Sequence, residues 1–276
     1  MLEKIPKVVF RNEYSIRGTK SSHKKINLEW WNAEPNVGDC LAPAIYQWLM
    51  EYFNLDGRKC VGATQHLLTV GSLVGMGRCD AVIWGSGVHC VQTTKKIINQ
   101  RMYRKYDVRA VRGPITKLLL ESAGYDCPDI YGDPAILMPL IYEPNCVEKK
   151  YRTSLILHLS QHGSKDRDDK EHHLIDVKTN DYKKFINEIV ASEVVISSSL
   201  HGIILAESYG VPAIFLKKGI ESETMKFFDW YYSTERFDIV IANSINDAMK
   251  MTPMKLPELK LQREVLMRAF PVDLWN

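Results

Sequence analysis

Residues 193–216 read EVVISSSLHGIILAESYGVPAIFL. Glu193-Val194-Val195-Ile196-Ser197 is a short β-branched run of the kind that lies buried in a parallel sheet. Ser198-Ser199-Leu200-His201-Gly202 is a turn. Ile203 to Tyr209 has the length of a short helix, stopped by Gly210 with Pro212 behind it. Ala213-Ile214-Phe215-Leu216 is a second apolar run. Strand, turn, helix and strand in this order make a βαβ unit, whose two strands must run parallel.

The same grammar extends outward. Ser154 to Leu159 is a strand opening this unit, Asn180 to Ala191 a helix, and Pro257 starts a final helix to about Ala269. Upstream, Ile26 to Trp31 is a strand. The loop Asn32 to Asp39 leads into a helix to about Phe53, whose Ile45, Trp48, Leu49, Tyr52 and Phe53 share one face. Leu67 to Val70, Ala81 to Trp84, Val108 to Val111 and Asp129 to Tyr131 are further strands, with a helix between Pro114 and Ala123. The fold class is therefore α/β. Two domains are expected, residues 1–145 and residues 146–276, the second carrying the helix 257–269. Ligands belong in a cleft outside the carboxyl ends of the strands. Gly163 to His173, dense in charge, reads as a mobile loop.

Composition narrows the classes. The 276 residues are 45% hydrophobic and 25% charged, which excludes a disordered chain, a fibre and a coiled-coil rod. A net charge of +3, from 36 basic and 33 acidic residues, excludes a surface devoted to phosphodiester backbones. No apolar run approaches the ~18 residues of a membrane span, and Met1 to Arg11 lacks a signal peptide's apolar core. The six cysteines are dispersed and read as reduced thiols of a cytoplasmic protein, with no metal-type pair.

Two strand-to-helix turns carry a basic or titratable side chain, Arg112 in Arg112-Gly113-Pro114 and His201 in Ser199-Leu200-His201-Gly202. Free N–H groups at a helix start favour anions. Arginine forks onto carboxylate or phosphate, and histidine changes charge near neutral pH. Each also has a plainer reading, as a surface ion pair and a packed turn histidine. Gly85-Ser86-Gly87 is a turn where backbone can approach a ligand. No dinucleotide fingerprint, Walker lysine loop or Gly-x-Ser-x-Gly elbow is present. Asn36 and Asp39 are candidates to bind acceptor hydroxyls or to act as a base, with a helix cap as the plainer role of Asp39. Asp133 equally suits a turn. His158 ends a strand near the cleft, and Trp230, Tyr231 and Tyr232 offer faces for sugar stacking or for the core.

The ordered series is more specific than its pieces. Asn36-Val37-Gly38-Asp39 precedes Leu41 and Pro43, then come Gly85-Ser86-Gly87, Val111-Arg112-Gly113-Pro114-x-Thr116 and Gly132-Asp133-Pro134-Ala135. Ser198-Ser199-Leu200-His201-Gly202-Ile203-Ile204 and Lys226-Phe227-x-Asp229-x-Tyr231 close it. This series resembles the polysaccharide pyruvyl transferase family, from about Trp30 to Tyr232. The resemblance implies two Rossmann-like domains in a glycosyltransferase-B-like arrangement with an interdomain cleft. It implies transfer of the pyruvyl group of phosphoenolpyruvate, a co-substrate with no further cofactor or metal, onto a sugar as a cyclic ketal. The acceptor would be a capsular polysaccharide or exopolysaccharide, or its lipid-linked precursor at the inner face of the membrane.

Position by position, the resemblance makes Arg112 the anion-binding arginine and Leu200-His201 the pair at the phosphoenolpyruvate site, with Gly202 beside them. Some members carry arginine before that pair, where this chain has Ser199. Another cation must then serve, Lys226 first and Arg109 second. Phosphoenolpyruvate carries about three negative charges, which calls for Arg, Lys and helix N-termini. Protonation at its C3 suits His201 as a general acid. The implied site is His201 and Arg112 as catalytic residues, with Leu200, Ser199, Gly202, Asn36, Asp39, Gly85, Ser86, His158 and Lys226 binding substrate. A sugar-nucleotide glycosyltransferase, or a non-catalytic saccharide- or anion-binding protein on the same fold, is the competing reading.

Overall fold

The computed structural model describes residues 26–56, 65–77, 79–144, 148–162 and 171–275. The readings of residues 1–11, of 163–170 in the charged loop, and of Cys60 and Cys146 fall outside them.

The first half of the chain supplies β1 (Ile26–Glu29), α1 (Val37–Tyr52), β2 (Gln65–Leu68), β3 (Ala81–Trp84), α2 (Gln92–Gln100), β4 (Tyr106–Ala110) and α3 (Pro114–Ser122). A single turn, α4 (Met138–Ile141), leads to the second half. There follow β5 (Tyr151–Ile156), β6 (His173–Leu174), α5 (Tyr182–Val190), β7 (Ser192–Ser197), α6 (Leu200–Ser208), β8 (Ala213–Leu216), α7 (Met225–Ser233), β9 (Ile241–Ala242), α8 (Ile245–Ala248) and α9 (Lys260–Arg268). They form two sheets, ordered β1-β2-β3-β4 and β6-β5-β7-β8-β9, and every pairing is parallel.

The second order has one reversal. From β5 the chain steps to β6 on one side, then crosses to β7 on the other. This is a doubly wound order with its switch point between β5 and β7, where a crevice opens outside the carboxyl ends of the strands. His158 leaves β5 at that point, and Ser199-Leu200-His201 leave β7.

Alternation along the strands divides the core into layers. Leu67, Val82 and Trp84 of the first sheet, and Ile156, Val195 and Phe215 of the second, belong to one continuous inner core with α1, α6 and α7. Leu68, Ile83 and Val111 face a separate layer with Ile97 of α2 and Leu120 of α3. Leu155, Ile196 and Leu216 face a third. The terminal segment returns to the first sheet. Trp84 Nε1 donates to the Leu266 carbonyl at 2.9 Å, Phe270 meets Trp84 edge-on, and Phe53 stacks on Phe270.

Some expectations change. Asp129 to Tyr131 forms no strand, only a bridge between Val111 and Tyr131. The cap of α1 is Asn36, whose side chain accepts from Gly38 N; Asp39 sits in the first turn instead. α6 begins at Leu200, earlier than Ile203, so His201 belongs to its first turn. Trp230 and Tyr231 are core residues, 0% and 1% exposed, and offer no face to a sugar. Tyr232 packs against Phe228 and Phe237.

Candidate active site

A hollow of about 400 Å³ lies where the carboxyl ends of the two sheets meet. Asn36 and Asp39 at the start of α1 and the loop Gly71-Ser72-Leu73 after β2 form the wall from the first half. His158, Ser199, Leu200, His201, Glu223 and Lys226 form the wall from the second.

His201 is held from two sides. Its Nε2 stands 3.5 Å from Oδ2 of Asp133, and both atoms are buried with no hydrogen bond among the described residues. Asp133 is completely buried; its other oxygen accepts from Ala135 N at 3.0 Å. Nδ1 lies over Gly38, where an added Cβ would come within 2.1 Å of it. Only glycine lets the imidazole lie this close to the start of α1. Ser199 caps α6, its hydroxyl accepting from Gly202 N at 3.4 Å. Gly202 itself faces away from the hollow: a Cβ there would meet Ser197 Oγ at 2.6 Å and Ile156 Cγ2 at 2.9 Å. Its place in the motif is a packing requirement, the contact of α6 with β5, rather than substrate binding.

Asp39 receives a hydrogen bond from Asn36 Nδ2 at 2.6 Å. Burial pushes its carboxyl up to about 6, against the opposing pull of His201 and Asn36. Near neutrality such a group exchanges protons readily.

A second cluster closes the opposite side. Lys226 Nζ donates to Glu223 Oε2 at 2.5 Å, and His89 Nε2 reaches the same oxygen at 3.2 Å. His158 Nε2 lies 3.5 Å from it and 3.3 Å from Lys226 Nζ. Burial, reinforced by Lys226, pushes His158 down to about 4, so it is neutral near pH 7 and accepts from the ammonium. Burial also lowers Lys226. The hydrogen bond to Glu223 raises His89 and in turn holds Glu223 well below the usual carboxylate range.

Arg112 is not in the hollow. It is 0% exposed and fully engaged: Nε bonds Asp229 Oδ2 at 3.0 Å, Nη1 bonds Ser72 Oγ at 2.9 Å, and Nη2 bonds the Val88 carbonyl at 2.8 Å. The expected grip on an anion is therefore corrected. Arg112 ties the Ser72 loop to α7, and Asp229 and Lys226, three residues apart on that helix, share a face. Gly85 and Ser86 are likewise beneath the wall rather than in it. Ser86 Oγ donates to Gly71 O at 2.8 Å and accepts from Leu73 N, shaping the loop that does line the hollow; Gly85 is the positive-φ turn leading to it. Arg109 is held by Asp107 and Asp273, both at 2.7 Å, and takes no part.

Sequence reasoning missed His89, Glu223 and Trp31, all of which line the hollow. Two signals existed: Glu223 stands one helical turn before Lys226, and His89 follows the Gly85-Ser86-Gly87 turn at the carboxyl end of β3. Among the described residues, no group of three or more His, Cys, Asp or Glu is placed to hold a metal ion, and no helix is long and apolar enough to cross a membrane.

The chain is 25% identical over 229 residues to an uncharacterized protein of Acanthamoeba polyphaga mimivirus, covering 76% of this chain and 75% of that one. The crystal structure of a functionally uncharacterized protein from Klebsiella pneumoniae superposes with a TM-score of 0.51 at 15% identity. That match covers 81% of this chain and 94% of the other, and shows a shared fold. The family model for polysaccharide pyruvyl transferase matches residues 78–217, a span that holds His89, Arg112, Asp133, His158 and the Ser199-Leu200-His201 turn. Half of the chain, including the strand-to-helix turn that orients His201, thus follows one family pattern, and the protein belongs to the polysaccharide pyruvyl transferase family.

Proposed function

We propose that the protein moves the pyruvyl group of phosphoenolpyruvate onto two hydroxyls of a saccharide, releasing phosphate and forming a cyclic ketal. The observation that carries this reading is the convergence of His201, Asp39 and Lys226, from three separate elements, on one hollow. In this reading the two sheets are the cores of two domains, 1–145 and 146–276, set in a glycosyltransferase-B-like way, with the acceptor on the first side. The acceptor is a polysaccharide or a lipid-linked precursor met at the inner face of the membrane.

Phosphoenolpyruvate binds with its charge toward Lys226. His201 as imidazolium gives the Nδ1 proton to C3 while the first sugar hydroxyl attacks C2 and loses its proton to Asp39. The C2–O bond to phosphate then breaks, and positive groups stabilise the leaving charge. The second hydroxyl attacks the resulting oxocarbenium ion and returns a proton to the imidazole. The phosphate takes the proton from Asp39. Asp133 acts through His201: a side chain 3.5 Å from Nε2 holds the ring in its orientation. Arg112 positions Lys226 through Asp229.

The test is incubation with phosphoenolpyruvate and a panel of glycosides, reading phosphate release and the pyruvate adduct by mass spectrometry. Release without any nucleotide is expected. Turnover of a sugar nucleotide with phosphoenolpyruvate untouched would instead establish a glycosyltransferase. Gly38→Ala gives a second check. The added methyl drives the imidazole from its seat, and a shift of about 1 Å costs on the order of 10²-fold in turnover. Unchanged kcat in that variant would refute the placement of the ring.

A further inference from the structure

The nitrogens around Glu223 are arranged as for a bound anion. Lys226 Nζ and His89 Nε2 bond one atom, Oε2, at 2.5 and 3.2 Å, and His158 Nε2, which accepts from Lys226, lies 3.5 Å from it. They come from three places in the chain: α7, the turn after β3, and the turn after β5. Glu223 itself comes from a fourth place. It belongs to a one-turn 3₁₀ segment, Glu221–Glu223, just before α7, and its side chain is 21% exposed where that of Lys226 is only 8%. A single carboxylate oxygen thus serves two donors, the buried Lys226 and the half-exposed His89, with the His158 imidazole beside them, while the residue that brings it sits on a short turn.

We infer that Glu223 occupies the subsite of a tetrahedral phosphate group, and that a phosphorylated ligand binds by displacing it. This rests on the transferase reading above and adds an entry step to it. A phosphate presents three oxygens to three nitrogens, where the carboxylate presents one. It also brings a larger charge to Lys226 and His89, and its second charge favours protonation of His158, which then donates as well. Keeping Glu223 in place would set two anions against one lysine, and like charges this close in a partly buried site repel. Displacement removes that repulsion and leaves the carboxylate in solvent. Until the ligand arrives, Lys226 does not lie buried without a partner, so Glu223 both holds the cation ready and competes with the ligand for it.

The experiment is calorimetric titration of the whole chain with inorganic phosphate and, separately, with phosphoenolpyruvate. Glu223→Gln removes the competing charge and keeps the shape. It is expected to tighten phosphate binding on the order of tenfold. The gain is expected to be largely lost in the Glu223→Gln/Lys226→Gln double variant, because the lysine for which Glu223 competes is gone. Melting curves of each variant establish that the fold is kept. The unmodified chain provides an independent reading: phosphate saturation should move the imidazole NMR signals of His89 and His158 together, with the calorimetric Kd. Unchanged or weaker phosphate binding by Glu223→Gln, or imidazole signals that ignore phosphate, would overturn the inference. Tighter binding by Glu223→Gln in a chain that never turns over phosphoenolpyruvate would uphold displacement and defeat the transferase reading. Turnover of phosphoenolpyruvate without that tightening would do the reverse.

Discussion

Arg112→Ala is expected to lower stability by about 3–5 kcal/mol, the cost of leaving a buried partner charge uncompensated. The pair with Asp229 is wholly shielded, with both side chains at 0% exposure. Among the described residues, Asp229 would retain only Thr116, whose backbone N and hydroxyl bond it at 3.0 and 2.7 Å. In a chain of this size each kcal/mol moves the melting temperature by roughly 2–4 °C, so a drop of about 6–20 °C should appear by calorimetry. Stability and site geometry separate in the double variant Arg112→Met/Asp229→Leu. Replacing a buried ion pair with apolar side chains often restores stability, but the tie to Ser72 is lost and phosphate binding at Lys226 should remain weakened. A single variant that melts like the parent would show that the pair contributes nothing to the fold.

His201→Gln is the second large effect. Glutamine keeps much of the volume and the polarity but carries no proton for C3, so kcat should fall by about 10²–10⁴-fold, the usual share of a general acid. Binding of phosphoenolpyruvate, measured by titration, should change little, because the anion is held at Lys226. Full turnover by this variant would refute the acid role. Asp133→Asn should act in the same direction through the ring: the amide facing Nε2 holds the imidazole less well in its orientation, and kcat falls while phosphoenolpyruvate binding is kept. Unchanged kcat would reduce Asp133 to the cap of the turn that follows it.

The strands and most of the helices were legible because each is a short apolar run cut by glycine or proline, and burial on both faces leaves no other composition for a parallel strand. The regions around β3, α3 and β8 coincide closely with their sequence signals. What stayed hidden was hidden for reasons of distance. The two-residue strands β6 and β9 are too short to carry a period. The α7 segment combines Lys226, Phe227, Asp229 and Trp230 without a solvent face, since its charged residues are consumed by tertiary partners. Arg112 shows the limit best. Its place after a strand suggested an exposed cation, and only the fold brings Asp229, 117 residues later, against it. His158 and Lys226 were picked as candidates without knowledge that Glu223 joins them, because a one-turn segment has no signature of its own.

The return of the terminal segment to the first sheet has a consequence for biogenesis. Leu266, Phe270 and Asp273 complete contacts with Trp84, Phe53 and Arg109, residues made much earlier on the ribosome. The half synthesised first therefore lacks part of its covering until translation has passed position 270. During that interval Trp84 and Phe53 are sticky surface, the condition in which nascent chains recruit chaperones or aggregate.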